Sequence, residues 1–356
     1  MAPRPGSGPL RIALLGVGTV GRAVAEALLA DGERLAARAG RPLELSTIGA
    51  RSSARLAGLA LPSSVVVTSD VAAAASDPGA DVVVELLGGL DPAGPIVLEA
   101  LERGRSVVTA NKHLLAARGP ELEAAAVAGH ATISFEAAVG GGTPVLRLLA
   151  DDLVGMRIER VRGVVNGTTN WILDRMALDG LDAAAALAAA QAAGYAEADP
   201  GFDLEGIDAA DKLVILARLA FGTWIRPTDV ERLAADGPGA GSPGIAGVTR
   251  ADIDAAAGRG RRIRLVAEAR RTAAGVSASV LAREVEPGDP LAAASGVGNV
   301  VVFEGQPHGA VSVAGPGAGG PATAAAVIAD LVALARGAGS TWAASPLALE
   351  PAGVAG

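Results

Sequence analysis

Gly16-Val-Gly-Thr-Val-Gly21 follows the apolar run Arg11–Leu15 and opens a helical stretch running to about Ala37, and this context decides the fold. Three glycines spaced in this way, between a strand and a helix, form the dinucleotide fingerprint. Gly16 permits the tight turn, Gly18 lets the backbone approach a pyrophosphate, and Gly21 lets helix and strand pack closely. The helix N-terminus then faces the phosphates. A glycine-rich turn without a ligand is the plainer reading, and the alternation downstream argues against it.

Outward from the motif, short β-rich runs alternate with Ala- and Leu-rich helical stretches. The strands read Arg11–Leu15, Leu43–Ala50, Val65–Thr68, Asp81–Leu87, Ser106–Ala110 and Thr132–Val139. This pattern predicts an α/β fold with a Rossmann-type doubly wound parallel sheet over residues 10–139, preceded by a Pro/Gly-rich tail at 1–9 that reads as disordered. After Gly140–Thr143 the rhythm changes to a helix near Pro144–Leu153, a strand Ile158–Asn166, three helical stretches to Gly222, and strands near Ile263–Ala269 and Val276–Arg283. Residues 140–314 are therefore expected to form a second, α+β domain for catalysis and dimerisation. Ala235–Gly247 reads as a surface loop, Ala183–Ala190 as an Ala-rich helix, and residues 315–340, helical over Ala322–Leu334, as a return to the first domain.

The 356 residues suffice for two cores. A net charge of −8 with 2% aromatic residues argues against nucleic acid as a partner. The apolar run Leu10–Gly18 is broken by glycines, Arg22 and Glu26, well short of the ~20 residues of a membrane span, and it reads as a buried strand rather than a secretory signal. The absence of cysteine is compatible with a reducing cytoplasm, and it also removes thiolate nucleophiles and the usual structural zinc sites.

Where the second strand ends, an NAD-preferring site usually carries an acid, whereas this chain reads Gly49-Ala-Arg-Ser-Ser53. Arg51 suits a 2′-phosphate, which favours NADP over NAD; a merely solvated arginine is the alternative. Hydride transfer between an alcohol and a carbonyl needs a proton carrier. Tyr195 has Asp199, not a lysine, four residues on, and His113, His130 and His308 are scattered, so tyrosine- and zinc-based routes are closed. Lysine remains, present only at Lys112 and Lys212 in a chain that otherwise uses arginine. Its amine can be tuned by surroundings where a guanidinium cannot. Lys112 follows the fifth strand at the carboxyl edge, where open α/β sheets bind ligands.

The segment Glu197-Ala-Asp-Pro-Gly-Phe-Asp-Leu-Glu-Gly-Ile-Asp-Ala-Ala-Asp-Lys212 concentrates carboxylates before an apolar helix. Asp208 and Lys212, four apart, share a helix face, which fits either an exposed ion pair or a functional one. Glu197 and Asp203 are either solvated loop acids or ligands for a substrate ammonium.

From about Arg11 to Leu334 the sequence resembles the homoserine dehydrogenases, through the fingerprint, Glu85-Leu-Leu-Gly-Gly89, Val108-Thr-Ala-Asn-Lys112, Phe135-Glu-Ala-Ala-Val-Gly-Gly-Gly-Thr-Pro144, Asn166-Gly-Thr-Thr-Asn170 and the acidic segment ending at Lys212. The resemblance implies NAD(P)H-dependent interconversion of L-aspartate 4-semialdehyde and L-homoserine, on the way to threonine, methionine and isoleucine. It implies Lys212 as proton donor, Lys112 near nicotinamide and substrate, and Asp208 as the assisting acid. Glu197 would bind the substrate amino group, joined by Asp203, Gly167 and Thr168. Gly16, Gly18, Thr19, Val20, Gly21, Arg51, Gly88, Lys112 and Gly315 would hold the cofactor, and Glu136, Val139, Gly141 and Thr143 a structural sodium ion, mainly through backbone oxygens. It also implies a homodimer, and the expectation here is that the ACT domain of many relatives is missing. A non-catalytic NAD(P)-binding regulator and an oxidoreductase of a longer amino-acid semialdehyde are the competing readings.

Overall fold

The computed structural model describes residues 8–342; the expected tail at 1–9 lies mostly outside the described residues. In chain order the first unit runs β1 (Leu10–Leu15), α1 (Thr19–Ala30), α2 (Gly32–Ala39), β2 (Leu43–Gly49), β3 (Val66–Thr68), α3 (Val71–Ala75), β4 (Val82–Glu85), α4 (Ala93–Glu102), β5 (Ser106–Thr109), α5 (Lys112–Ala128) and β6 (Ile133–Ser134). All its strand pairs are parallel, in the order β3-β2-β1-β4-β5-β6. The order reverses between β1 and β4, and the crevice at their carboxyl ends is where such sheets bind ligands. The central strands are buried on both faces, with Ile12, Leu14, Val82 and Val84 excluded from solvent on one and Ala13 and Val83 on the other, as helices on either side of a parallel sheet require.

The second unit, residues 148–317, contains β7 (Arg157–Val164), α6 (Gly167–Leu178), α7 (Ala183–Ala192), α8 (Gly201–Leu204), α9 (Ile207–Phe221), α10 (Arg250–Gly258), β8 (Arg262–Thr272), β9 (Gly275–Val285), β10 (Gly298–Gln306) and β11 (Gly309–Pro316). Its sheet is antiparallel, ordered β11-β10-β7-β8-β9. Helix α9 is buried from Asp208 to Phe221 and packs on β7, β8 and β9. Buried on all sides, it has the setting of a core helix, so the charges of Asp208, Asp211, Lys212 and Arg218 within it need partners. The chain then returns to the first unit as α11 (Gly320–Ala335), whose Val327 and Leu331 share a core with Val24 and Leu28 of α1.

Several elements differ from the sequence reading. The helix expected from Val20 to Ala37 is two, broken at Asp31-Gly32, a pair of weak helix formers. The strand expected over Thr132–Val139 stops at Ser134, because the Glu136 amide and carboxylate bond to Asp330 and to the amides of 145–147 instead of a neighbouring strand. The helix near Pro144–Leu153 is a wide turn over Leu148–Asp152. Four helices, not three, precede Gly222, and β10 and β11 went unread. The crossings fall at 147/148 and 317/318, so residues 140–147 stay with the first unit. Among the described residues no helix is long and apolar enough to cross a membrane.

Candidate active site

The fingerprint glycines divide their tasks as their surroundings dictate. Gly16, at φ +90°, donates its N–H to the Gly49 carbonyl at 2.9 Å, and a Cβ there would lie 2.6 Å from the Leu86 carbonyl oxygen. At Gly21 a Cβ would fall 1.9 Å from the Gly16 oxygen. At Gly18 it would meet nothing within 4 Å, so this is the open side of the turn. Gly18 caps α1 without a side-chain acceptor, which leaves the first-turn amides, including those of Thr19 and Val20, for an anion. The start of α11 reaches the same edge, for a Cβ on Gly320 would lie 3.0 Å from the Thr19 oxygen. A cavity of about 680 Å³ flanks α1 and α11 further along, lined by Ala27, Leu35 and Ile328; it contains none of the fingerprint glycines and is not the dinucleotide site.

Arg51 is exposed just beyond β2. At the end of β4 the buried Glu85 carboxylate accepts the Leu87 and Gly88 amides, at 2.8 and 3.1 Å, and the Thr109 hydroxyl at 2.6 Å. Thr109 accepts the Asn111 amide at 2.9 Å; the Asn111 side chain donates to the Gly89 carbonyl at 2.7 Å and accepts the Leu114 amide at 3.1 Å. This relay fixes the loops after β4 and β5 and sets Lys112 as the first residue of α5. Glu85 and Asn111 belong to motifs quoted from the sequence, but their positioning role was not legible there.

In the second unit Lys212, 8% exposed, donates to Asp208 Oδ2 and to the Val165 carbonyl, both at 2.6 Å. Asn166 ties the acids together: its Nδ2 donates to Asp208 Oδ2 at 2.8 Å and to Asp203 Oδ1 at 2.6 Å, while its Oδ1 caps α6 by accepting the Thr169 amide at 2.8 Å. Burial pushes the Asp203 carboxyl above the usual range; the Asn166 hydrogen bond opposes this and the neighbouring Asp208 charge reinforces it. Gly167 begins α6 against Val297, and Thr168 donates to the Tyr195 carbonyl at 2.8 Å. The Asp208–Lys212 pair is thus a buried one, in which removing one partner costs about 3–5 kcal/mol.

Glu197 stands apart from this cluster. It is exposed on the loop after α7, held by its carbonyl, which accepts Gln191 Nε2 at 3.0 Å, and no hydrogen bond or ion pair among the described residues joins it to Lys212. Gly315 lies in β11, opposite Asn299, within the second unit. Asn166 was quoted in a motif but not singled out as a site residue, because the acids it joins lie 37 and 42 positions away.

In the loop after β6 the Glu136 carboxylate receives the amides of Val145, Leu146 and Arg147 at 2.8, 3.0 and 2.7 Å. Burial raises its pKa against these bonds. Asp330 of α11 accepts the Glu136 amide at 2.9 Å and pairs with Arg147 at 2.7 Å; burial, reinforced by Glu136, pushes its carboxyl up to about 7. The side-chain oxygens of Glu136 therefore accept three backbone amides, which pin this loop.

Residues 144–332 match a family model described as homoserine dehydrogenase, and residues 16–136 one described as its NAD-binding domain. The homoserine dehydrogenase of Mycobacterium tuberculosis is 44% identical over 333 residues, spanning 92% of this chain and 73% of that protein. The crystal structure of the Thiobacillus denitrificans homoserine dehydrogenase superposes with a TM-score of 0.87 at 36% identity, covering 96% of this chain and 80% of that one. A hyperthermophilic archaeal homoserine dehydrogenase in complex with NADPH gives 0.76 at 29% identity, covering 91% and 97%.

Proposed function

This chain belongs to the homoserine dehydrogenase family and carries that activity (EC 1.1.1.3), and from this premise we propose how its residues divide the reaction. Bound NAD(P)H supplies the hydride that turns the aldehyde carbon of L-aspartate 4-semialdehyde into the carbinol of L-homoserine. Gly16, Gly18, Thr19, Val20 and Gly21 seat the pyrophosphate on the open side of the first turn of α1, with Gly88 in the neighbouring loop. In reduction Lys212 passes a proton to the substrate oxygen, and in oxidation it takes the hydroxyl proton back.

The observation that carries this is the burial of Lys212 between Asp208 and the Val165 carbonyl. Two of its three N–H directions are committed there, which aims the third. Asp208 holds the ammonium in place, and Asp203, Thr168 and Gly167 line the approach for the substrate amino acid, with Glu197 closing on its ammonium from the loop after α7. Lys112, at the start of α5, serves nicotinamide and substrate.

Arg51 supports NADP as the preferred cofactor, in keeping with the NADPH bound by the archaeal relative. Gly315, which the family resemblance marks, is a further cofactor contact. A sodium ion, if bound, would be held by the backbone oxygens of Glu136, Val139, Gly141 and Thr143 and would stiffen that loop without entering the chemistry. In the same reading the chain works as a homodimer in the cytoplasm.

The test is oxidation of L-homoserine with NADP⁺ and with NAD⁺, followed by nicotinamide absorbance, for wild type, Lys212→Ala and Arg51→Ala. Lys212→Ala should abolish turnover while still binding cofactor, and Arg51→Ala should lose NADP⁺ efficiency selectively. Turnover retained by Lys212→Ala removes the lysine from the mechanism; an unchanged NADP⁺/NAD⁺ ratio in Arg51→Ala removes the phosphate assignment.

A further inference from the structure

The Val165 carbonyl oxygen accepts two donors, Lys212 Nζ at 2.6 Å and Asn299 Nδ2 at 3.3 Å. Asn299 lies on β10 and is 2% exposed. Only the nitrogen of its amide can face a carbonyl, so the acceptor fixes its orientation. Its Oδ1 is consequently buried with no hydrogen-bond partner among the described residues. The back of the amide rests on Gly317, where a Cβ would come within 2.2 Å of Oδ1 and 2.5 Å of Nδ2. An unpaired buried acceptor is a cost to stability that an apolar side chain of the same shape would not incur. The amide stands here in a setting that does not reward it as packing.

Asn299 Nδ2 and Lys212 Nζ thus share one carbonyl oxygen, which has a lone pair for each. We propose that Asn299, wedged against Gly317, is a positioning residue that sets Lys212 for proton transfer by fixing the Val165 carbonyl. This rests on the reading of Lys212 as the proton carrier. Gly317 ends the 148–317 segment of the second unit, and through Asn299 its backbone position is linked to the lysine.

The experiment compares Asn299→Leu, Asn299→Ala, Gly317→Ala and the double variant Asn299→Ala/Gly317→Ala with wild type and Lys212→Ala, reading kcat, both KM values, NADPH binding and melting temperature. Asn299→Leu should melt no lower than wild type yet lose kcat about tenfold, the equivalent of a modest misplacement of the reacting group, with KM for NADP⁺ unchanged. Gly317→Ala should reproduce that loss, and in the Asn299→Ala background it should add nothing, because the side chain it displaces is gone. Wild-type kcat in both Asn299 variants beside an inactive Lys212→Ala overturns the proposal while leaving the lysine in place. Full turnover by Lys212→Ala overturns the underlying assignment and the positioning role with it.

Discussion

Replacing Asp174 by Ala strands a guanidinium in the second unit. Asp174 Oδ1 pairs with Arg264 Nη2 at 2.8 Å, with side-chain exposures of 7% and 1%. Its Oδ2 accepts the Gly296 amide at 2.7 Å, and the Gly296 carbonyl in turn accepts Asn170 Nδ2 at 2.9 Å. Burial, reinforced by the neighbouring Arg262 charge, depresses the Arg264 pKa and Asp174 opposes the shift, so the carboxylate is what makes the buried cation tolerable. Breaking such a pair costs about 3–5 kcal/mol, and orphaning an amide about 1–3 kcal/mol. These penalties overlap, since one relaxation serves both, so about 4 kcal/mol is expected in total. For a unit the size of residues 148–317, each kcal/mol lowers Tm by about 2–4 °C, which places the drop near 8–16 °C. Differential scanning calorimetry reads the transition. The control is Asp174→Leu with Arg264→Met, which removes both charges and should recover most of the loss. A drop below about 3 °C for Asp174→Ala, or a double variant as unstable as the single one, would refute the reasoning.

Gly18→Ala should fold as wild type, since its new methyl meets nothing within 4 Å, yet raise KM for the cofactor about tenfold or more by occupying the pyrophosphate approach; an unchanged KM would remove Gly18 from the site. Gly21→Ala places a methyl 1.9 Å from the Gly16 oxygen and should lower Tm as well as cofactor binding, and a normal Tm would contradict the close packing of α1. Asp330, raised from 3.8 to about 7, holds its proton more tightly folded than unfolded; its contribution to stability therefore falls as pH rises between those values and is constant above them. Asp330→Asn should lessen the loss of urea resistance between about pH 5 and pH 8, and a parallel profile would assign that loss to other groups.

The first unit was readable because its elements announce themselves locally: an apolar run, three glycines and a helix, then short strands and helices in alternation. What was misread lacks a local signal. The buried run Val300–Phe303 of β10 is bounded by Gly298 and Gly305-Gln-Pro307, which punctuate like a loop, and β11 is built of small residues alternating at an edge. In the site, the pairing of Asp208 with Lys212 follows from helix periodicity, four residues apart. Asn166 bridging Asp203 and Asp208, or Asn299 reaching Val165, joins residues separated by 37 to 134 positions, and only tertiary packing decides such contacts. Glu197 shows the converse. It sits in the most diagnostic segment of the sequence, yet its side chain stands in solvent.

The return of α11 to the first unit has a consequence for synthesis. Ala324, Val327, Ile328 and Leu331 complete a core begun by Val24, Leu28 and Leu35, which leave the ribosome about 300 residues earlier. At about 5–20 residues per second, that is roughly 15–60 s during which the flank of α1 and α2 faces water with its closing helix unmade. The inserted unit, residues 148–317, has all its strands translated before then and can fold first. The nucleotide-binding half, though it starts the chain, is the half that finishes last.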